Sequence, residues 1–363
     1  MIDIVHTAAA AFALVSGMQQ DGASVPPQEP QAEPVAAQPA QPAQLSLNAF
    51  NPQISVVTDF RWNAIDDDPG ADKRAYLKEA ELGLAADVDP FLRAEAYIAF
   101  ADEDGETVAE VEEAFGTYSK LGRGLSAKFG KIAAAIGRVQ RNHADQQNWL
   151  DFPFVIQDML GEEGLRAGGA SLSYLVPGER FHEFTLEGFD APDGNLFSSA
   201  HGGSPLWVGH YRTFFDFTED ASAQLGATYA NGPSFGSSTR SQMYGVDLTY
   251  KWQPGTPGKS LVAEAEGYWG RPGGTGDTAF GGFAALTYQV RPRWFATAKV
   301  DYSEIPGTAD IRRAWSLGAT LKVTEFHHWR AEFQSIASNF APTRNVLNVQ
   351  FQWLIGAHPA HKY

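Results

Sequence analysis

The chain has no cysteine among its 363 residues. This absence excludes a disulfide framework, thiol catalysis and thiolate zinc sites. It also suits passage through an oxidising compartment, because no thiol can mispair there. The sequence likewise lacks any run of eighteen apolar residues, which excludes a helical membrane span.

Positive charge is scarce: 27 Lys and Arg stand against 43 Asp and Glu, and the first positive side chain is Arg61. A net charge of -16 predicts no nucleic-acid partner, since neutralising phosphates requires surplus Lys and Arg. The length allows two or three soluble domains or one large barrel.

The N-terminal region divides into two parts. Residues 1–23 contain a small, apolar stretch from Thr7 to Gly17 that resembles the core of a signal peptide, although Asp3 stands where a positive charge is usual. The alternative interpretation is a disordered tail. Residues 24–44 are mostly Pro, Ala and Gln, and this composition predicts a disordered tether. We therefore expect the folded part to span residues 45–363.

From Leu45 onward, apolar and polar residues alternate with a period of two. In the last clear segment, Leu347, Val349 and Phe351 are apolar, and Asn348 and Gln350 between them are polar. Such a segment predicts a strand with one apolar face and one polar face. The pattern recurs at residues 244–252, 294–302 and 315–323.

Two architectures produce this alternation. A soluble sandwich turns its apolar faces inward and fills them with bulky aliphatic residues. A transmembrane barrel turns them toward lipid, uses strands of about 9–11 residues and places aromatic residues at the interfaces. Here the strands are long, their apolar faces often end on Trp or Tyr, and Ala and Gly are frequent. The pattern favours an all-β, antiparallel transmembrane barrel.

We count about sixteen strands, beginning near residues 53, 74, 91, 107, 124, 165, 179, 207, 221, 241, 259, 278, 293, 311, 326 and 344. The connections after even-numbered strands are short, such as Pro177-Gly178 and Arg291-Pro292. Those after odd-numbered strands are longer or more polar: Ala64 to Lys73, Asp190 to Ser204, Asn231 to Thr239 and Ser338 to Thr343. Bacterial barrels have short periplasmic turns and longer external loops, so both termini are expected in the periplasm.

The longest connection, residues 132–164, follows the fifth strand and is the third external loop. On this feature the chain resembles sixteen-stranded outer-membrane porins, in which the third external loop folds into the barrel and narrows the pore. The resemblance implies an outer-membrane channel for small hydrophilic solutes or ions, embedded in lipid, without enzymatic activity or cofactor, and often trimeric. The constriction-loop candidates are Arg138, Arg141, His143, Asp145, Asp151 and Asp158.

Three shorter segments are similar to a group of predicted outer-membrane proteins. They are LSLNAFNPQISVVTDF at residues 45–60, KEAELGL at 78–84 and the tail GAHPAHKY. Such relatives are labelled phosphate-selective-like porins or zinc-regulated TonB-dependent receptors. The receptor label implies 22 strands and a plug domain, for which 363 residues are too few. Phosphate selection implies a cluster of Arg and Lys, which the loop lacks.

Charged side chains on the polar faces are expected to line the pore, because a charge facing lipid costs about 2–4 kcal/mol at the bilayer midplane. Acids outnumber bases in this set, so a weak cation preference is expected. The alternative for any one residue is an ion pair that only supports the wall. The strand of Glu110, Glu112 and Glu113 breaks the alternation, which predicts a bulge or a rim position. The pore-lining candidates are Asp59, Arg61, Glu79, Glu81, Arg93, Glu95, Arg212, Asp247, Lys251, Glu264, Glu266, Lys299, Asp301, Lys322, Arg330 and Glu332, with Glu183, Glu187 and Asp216 in the same phase.

Other functions have weaker support. We expect no metal site: His327 and His328 point to opposite faces of a strand, and His358 with His361 lacks an acidic neighbour. A membrane hydrolase would need a Ser and His together, for which only His201-Gly202-Gly203-Ser204 offers a starting point. A receptor or binding platform built from the external loops is the main alternative to a channel.

Overall fold

The computed structural model describes residues 52–68, 75–103, 106–143, 146–190, 194–198, 204–234, 237–274 and 276–356. Within them, sixteen strands form one closed barrel in which each strand pairs with the next along the chain and β16 pairs with β1. All of these pairings are antiparallel. The predicted fold class is confirmed. The expected signal region and tether lie outside the described residues.

The predicted strand starts agree closely with the observed ones. Fourteen of the sixteen begin within two residues of the predicted position; β7 and β10 differ by three and four residues. The strands are β1 Gln53–Asp66, β2 Ala75–Asp87, β3 Leu92–Glu103, β4 Glu106–Tyr118, β5 Leu125–Ala133, β6 Arg166–Leu175, β7 His182–Phe189, β8 Leu206–Thr218, β9 Ala221–Ser234, β10 Ser237–Trp252, β11 Leu261–Arg271, β12 Ala279–Arg291, β13 Trp294–Glu304, β14 Ile311–Lys322, β15 His327–Ser338 and β16 Arg344–Gly356.

The alternation in sequence becomes an outer and an inner face of the wall. On β14, the side chain of Leu317 points outward and is 56% exposed, while its neighbour Ser316 points inward and is 2% exposed. Outward-facing aromatic residues form two belts. One contains Trp62, Trp207, Trp269 and Trp315, and the other contains Tyr118, Tyr174, Tyr288 and Trp329. Aromatic belts separated by an apolar band are typical of barrels that cross a bilayer.

The barrel has two rims, and one connection between strands differs from its prediction. We call the end where β1 begins and β16 ends the turn rim, and the opposite end the loop rim. The connection predicted at Asn231 to Thr239 on the loop rim is wrong, because β9 continues to Ser234 and β10 begins at Ser237. Arg240 donates to the side-chain and backbone oxygens of Asn231, and these bonds hold the strand ends together.

A β-bulge in β4 explains the broken alternation around Glu112. Glu113 lies opposite Tyr97 and Val111 lies opposite Ile98, so Glu112 is an extra residue without a register partner. A bulge turns two successive side chains toward one face. Glu112 and Glu113 are both buried on the inner face, while Glu110 is exposed.

The segment between β5 and β6 lies inside the barrel over its described residues, 134–143 and 146–165, and we call these residues the lumen loop. It contains a 3₁₀ turn at Val139–Arg141 and one short helix, α1, at Phe154–Leu160. Helix α1 contacts β11, β12 and β13. It approaches the wall closely because Gly281 has no side chain: a Cβ there would lie 2.5 Å from Cγ2 of Val155.

No helix in the part of the chain that the structure describes combines the length and apolar composition that a bilayer-spanning helix requires.

The outer face makes a testable prediction about lipid contact. Replacing Leu317 by Arg in the middle of β14 is expected to lower the unfolding free energy in lipid vesicles by about 2–4 kcal/mol. Leu121, which is 50% exposed in a turn at the turn rim, provides the control, and Leu121→Arg should cost about 0–1 kcal/mol. Equal costs for the two substitutions, measured by urea titration, would contradict a lipid-facing wall.

Candidate functional site

The lumen loop has an apolar core of its own. Trp149, Ile136 and Ile156 are fully buried, and they belong to a cluster that includes Tyr268 and Phe283 on the wall. The Trp149 and Phe283 rings meet edge to face with centroids 5.6 Å apart. Burial of this kind stabilises a loop that would otherwise be exposed to the water of the lumen.

Arg330 and Glu332 on β15 hold the middle of the loop. The guanidinium of Arg330 donates to the carbonyl oxygens of Trp149 at 2.9 Å and Gln147 at 2.8 Å. Glu332 accepts a hydrogen bond from the backbone N–H of Leu150 at 3.2 Å. The wall therefore satisfies loop backbone groups that regular secondary structure leaves unpaired.

Arg61 on β1 adds a second contact to the same stretch. It donates to Asp151 at 2.6 Å, to the Leu150 carbonyl at 2.9 Å and to its strand neighbour Asp59 at 2.8 and 2.9 Å. Burial alone would raise the pKa of Asp151, but the charge of Arg61 and its hydrogen bond outweigh that effect and hold the pKa below its usual value.

Acidic residues on β7 and β11 bind the start of the loop. Glu266 accepts from the backbone N–H groups of Arg138 and Val139, both at 2.8 Å, and from the Tyr268 hydroxyl at 2.6 Å. Glu187 accepts from the N–H of Ala135 at 2.6 Å. Gly137 lies between these contacts with φ +59°, and a Cβ there would collide with the Tyr268 hydroxyl. Position 137 therefore requires glycine for two reasons: its backbone is left-handed, and the Tyr268 hydroxyl leaves no room for a side chain.

Strands β13 and β14 hold helix α1. Asp301 accepts from the N–H of Phe154 at 3.3 Å, one of the groups that a helix leaves unpaired at its start. Arg312 donates to Asp158 at 2.8 Å and lies over the Phe154 ring at 4.3 Å from its centroid. Lys299 contacts Asp301 at 3.2 Å and donates to the Asp151 carbonyl at 3.3 Å.

Strands β2 and β4 meet the loop at His143. Nδ1 of His143 lies 2.7 Å from Glu81 and 3.4 Å from Glu112, and its ring packs on Tyr97. Burial opposes protonation of His143, but the hydrogen bonds and charges of the two carboxylates raise its pKa well above the usual value.

The remaining candidates lie away from the loop or make fewer contacts with it. Arg93 pairs with Glu95 at 3.0 Å and Arg212 pairs with Glu183 at 2.7 Å. Asp216 and Lys322 are exposed near the turn rim, and Lys251 is half-buried on β10.

Four further candidates take part in electrostatic interactions. Arg138 forms an ion pair with Glu264. Arg141 and the buried Asp247 interact electrostatically, and neither carboxylate oxygen of Asp247 has a hydrogen-bond partner among the described residues. Asp145 lies outside those residues.

Some of the residues that the alternative functions would use lie within the described part of the chain, and others lie outside it. His327 and His328 are adjacent on β15, and His327 shares a 2.9 Å hydrogen bond with Thr324. Ser204 is exposed just before β8, while 201–203 and 357–363, which contain the other residues of those hypotheses, lie outside the described part.

A cavity of about 760 Å³ lies between the lumen loop and the wall of β1 to β4, the start of β6, β15 and β16. Its charged lining is mostly acidic. The acids are Asp66, Glu79, Asp102, Glu110, Glu112, Asp151, Glu162 and Glu163, and the bases are Arg61, Lys78, Arg166 and Arg344. Arg344 is paired with Asp66 at 2.6 Å and Arg61 with Asp151, so part of this positive charge is already neutralised.

Sequence reasoning missed several residues that hold the loop or line the cavity. Arg312 shares the phase of Ser316, and applying the alternation from the predicted start of the strand near residue 311 would have identified it. Glu112 and Glu113 were noticed only as exceptions to the alternation. Arg344 shares the phase of Asn348 and Gln350, so the alternation of β16 would have identified it as well. Arg166 shares the phase of the outward-facing Leu172, and alternation alone would have placed it outside.

Comparison with known proteins adds one sequence relative. No family model matches the chain. An uncharacterised protein of Aquifex aeolicus strain VF5 is 27% identical, over 88% of this chain and 81% of that protein.

Solved structures show the fold more clearly. The anion-selective porin of Comamonas acidovorans matches 84% of this chain and 100% of its own, with a TM-score of 0.58 and 11% identity. The outer-membrane channel DcaP of Acinetobacter baumannii matches 84% and 96%, with a TM-score of 0.58 and 14% identity. The trimer form of OmpT, a Vibrio cholerae outer-membrane protein, matches 84% and 98%, with a TM-score of 0.55 and 10% identity. The chain has the sixteen-stranded fold of porins, as its sequence predicted.

Loss of the Arg330 contacts is expected to free the middle of the loop. Hydrogen bonds from a charged group contribute about 1.5–3 kcal/mol each. Arg330→Met should therefore speed hydrogen exchange of the amides at 147–150 by at least about tenfold, measured by mass spectrometry on loop peptides. Arg93→Met removes an arginine near the turn rim and should leave these amides unchanged. Unchanged exchange in Arg330→Met would show that the apolar core alone holds the loop.

The Arg61–Asp151 contact makes the loop sensitive to acid. Because the folded-state pKa of Asp151 is depressed, its contribution is fully present above the unfolded value of about 3.9 and is lost as pH falls through the folded value. Wild type should exceed Asp151→Asn in unfolding free energy at pH 6, and the difference should vanish toward pH about 2. Asp220→Asn, in an exposed turn, serves as the matched control. A difference in unfolding free energy that stays constant with pH would contradict a stabilising charge on Asp151.

Proposed function

We propose that this chain, with the fold of outer-membrane porins, is a channel for passive diffusion of small hydrophilic solutes or ions across a bacterial outer membrane. The observation that carries the proposal is the lumen loop, which the wall holds inside a closed barrel and which borders a charged cavity. An apolar outer face around a charged interior is the arrangement expected of a water-filled pore in lipid.

A weak preference for cations follows from the lining of the cavity. Its acids outnumber its bases, and Arg61, Arg166 and Arg344 each lie within 4 Å of a carboxylate. A surplus of negative charge in a narrow passage with low-dielectric walls raises the local concentration of cations. The Comamonas neighbour is named as anion-selective, so a shared fold is no guide to the sign of selectivity.

The proposal also includes the orientation of the barrel in the membrane, the roles of the N-terminal residues and the oligomeric state. We infer that the turn rim and both termini face the periplasm, since short turns lie on that side in bacterial barrels. Residues 1–23 would direct export and residues 24–44 would form a tether. A homotrimer fits the apolar outer wall and the trimer form of the Vibrio neighbour.

Planar-bilayer recordings test the channel and its selectivity. Refolded protein should give discrete, ohmic conductance steps, and reversal potentials in a salt gradient should show cation preference. Asp102→Asn with Glu162→Gln should move the permeability ratio roughly twofold toward unity, because both acids are exposed and line the cavity.

The control changes the same net charge outside the lumen. Glu219→Gln with Glu325→Gln alters two exposed residues near the turn rim and should leave the ratio unchanged. Absence of conductance steps would refute the channel and favour a binding platform built from the loops. Clear anion preference would refute the role given to the acidic lining.

A further inference from the structure

A mixed nitrogen and oxygen donor set lies where the lumen loop meets β2 and β4. One atom each of Glu81, Glu112 and His143 converge so that all three atoms lie within 4.8 Å of one another, and all three residues are buried. A second set, Glu79, Glu112 and Glu163, shares Glu112 and opens toward the cavity. These groups come from two strands and the loop, so the folded position of the loop assembles them.

Glu112 is a buried carboxylate that shares the imidazole of His143 with Glu81. It is 5% exposed, and within the described part of the chain its nearest cations are Nδ1 of His143 at 3.4 Å and Nη2 of Arg166 at 3.9 Å. The His143 nitrogen already lies 2.7 Å from Glu81, and 3.9 Å exceeds hydrogen-bond distance. A single imidazole nitrogen therefore faces two buried carboxylates, and these three groups converge closely enough for one bound cation to take the place of the shared proton.

The charges around Glu112 lead to the same conclusion. Five carboxylates gather here, and the neighbouring basic groups are Arg166, Lys78, Lys131 and His143. Arg166 is 3.8 Å from Glu113 and its Nε has no hydrogen-bond partner among the described residues. The carboxylates are those of Glu79, Glu81, Glu112, Glu113 and Glu163.

We propose that a divalent transition-metal ion of the Zn²⁺ class binds here, with Nδ1 of His143 and the carboxylates of Glu81 and Glu112 as ligands. An imidazole with carboxylates is a donor set that Zn²⁺ accepts, and Ca²⁺ and Mg²⁺ prefer all-oxygen sites. Bonds of about 2.1 Å in a tetrahedral site place ligand atoms about 3.4 Å apart, so the observed separations require only small movements. The ion replaces the proton between Nδ1 of His143 and Glu81.

Neighbouring side chains position the imidazole of His143 as a metal ligand. The Tyr97 ring packs on His143 with centroids 4.4 Å apart, which restricts the orientation of the ligand. Glu79 stands two residues from Glu81 on the same strand and, with Glu163, leads from the cavity to Glu112. The bound ion would connect the loop to β2 and β4. Binding requires the loop in the lumen but not conduction, so the site and the channel can fail separately.

Isothermal titration of refolded full-length protein in detergent tests the site, with Zn²⁺ as the probe and Ca²⁺ as a comparison. One Zn²⁺ per chain should bind through this site, and a millimolar excess of Ca²⁺ should not displace it. His143→Gln and Glu112→Gln should each weaken this binding at least about tenfold. Glu112→Gln leaves the His143–Glu81 hydrogen bond in place, so it remains informative if His143→Gln destabilises the loop.

His210→Gln provides the matched control, since His210 is also buried in the lumen but bonds to Thr228 instead of a carboxylate. It should change the Zn²⁺ affinity less than about twofold. Equal Zn²⁺ binding by wild type, His143→Gln and Glu112→Gln would place the ion elsewhere, for example on the tail histidines, and would overturn the proposal. Absence of Zn²⁺ binding to a protein that conducts normally would also overturn it, while leaving the channel intact.

Discussion

Closure of the sheet is the constraint on which the rest of the structure depends. A strand edge in hydrocarbon would leave backbone N–H and C=O groups unpaired, and the ladder between β1 and β16 removes that edge. Once the wall is closed, alternate side chains must point either to the outside or to the lumen. Charged side chains are expensive outside, so they collect in the lumen, where they can bind the loop.

The charges of the lumen therefore do two things. Glu187, Glu266 and Glu332 accept hydrogen bonds from the loop backbone, and Arg61 and Arg330 donate to loop carbonyls. Charges used in this way are neutralised by the loop and contribute less to the field in the passage. The acids beside the cavity have fewer such partners, which is why we assign selectivity and ion binding to that side of the lumen.

Much of the wall could be predicted from sequence because a period of two depends only on neighbouring residues. The phase of each strand follows from the same pattern, and the broken alternation at Glu112 identified a real bulge. The pattern failed where pairing overrode local composition: Gly232 and Pro233 suggest a loop, yet both pair with β10. The contacts of Arg330 and His143 could not be predicted, since their partners are distant in sequence and depend on how the loop enters the barrel.

The span of the lumen loop has a mechanical consequence. Glu187 on β7 and Arg330 on β15 hold the same segment, and eight strand positions separate them around a barrel of sixteen. The loop thus connects opposite walls and works as a cross-brace. A cylinder with an internal strut resists flattening, so lateral pressure from the surrounding lipid would change its cross-section less than that of an empty barrel.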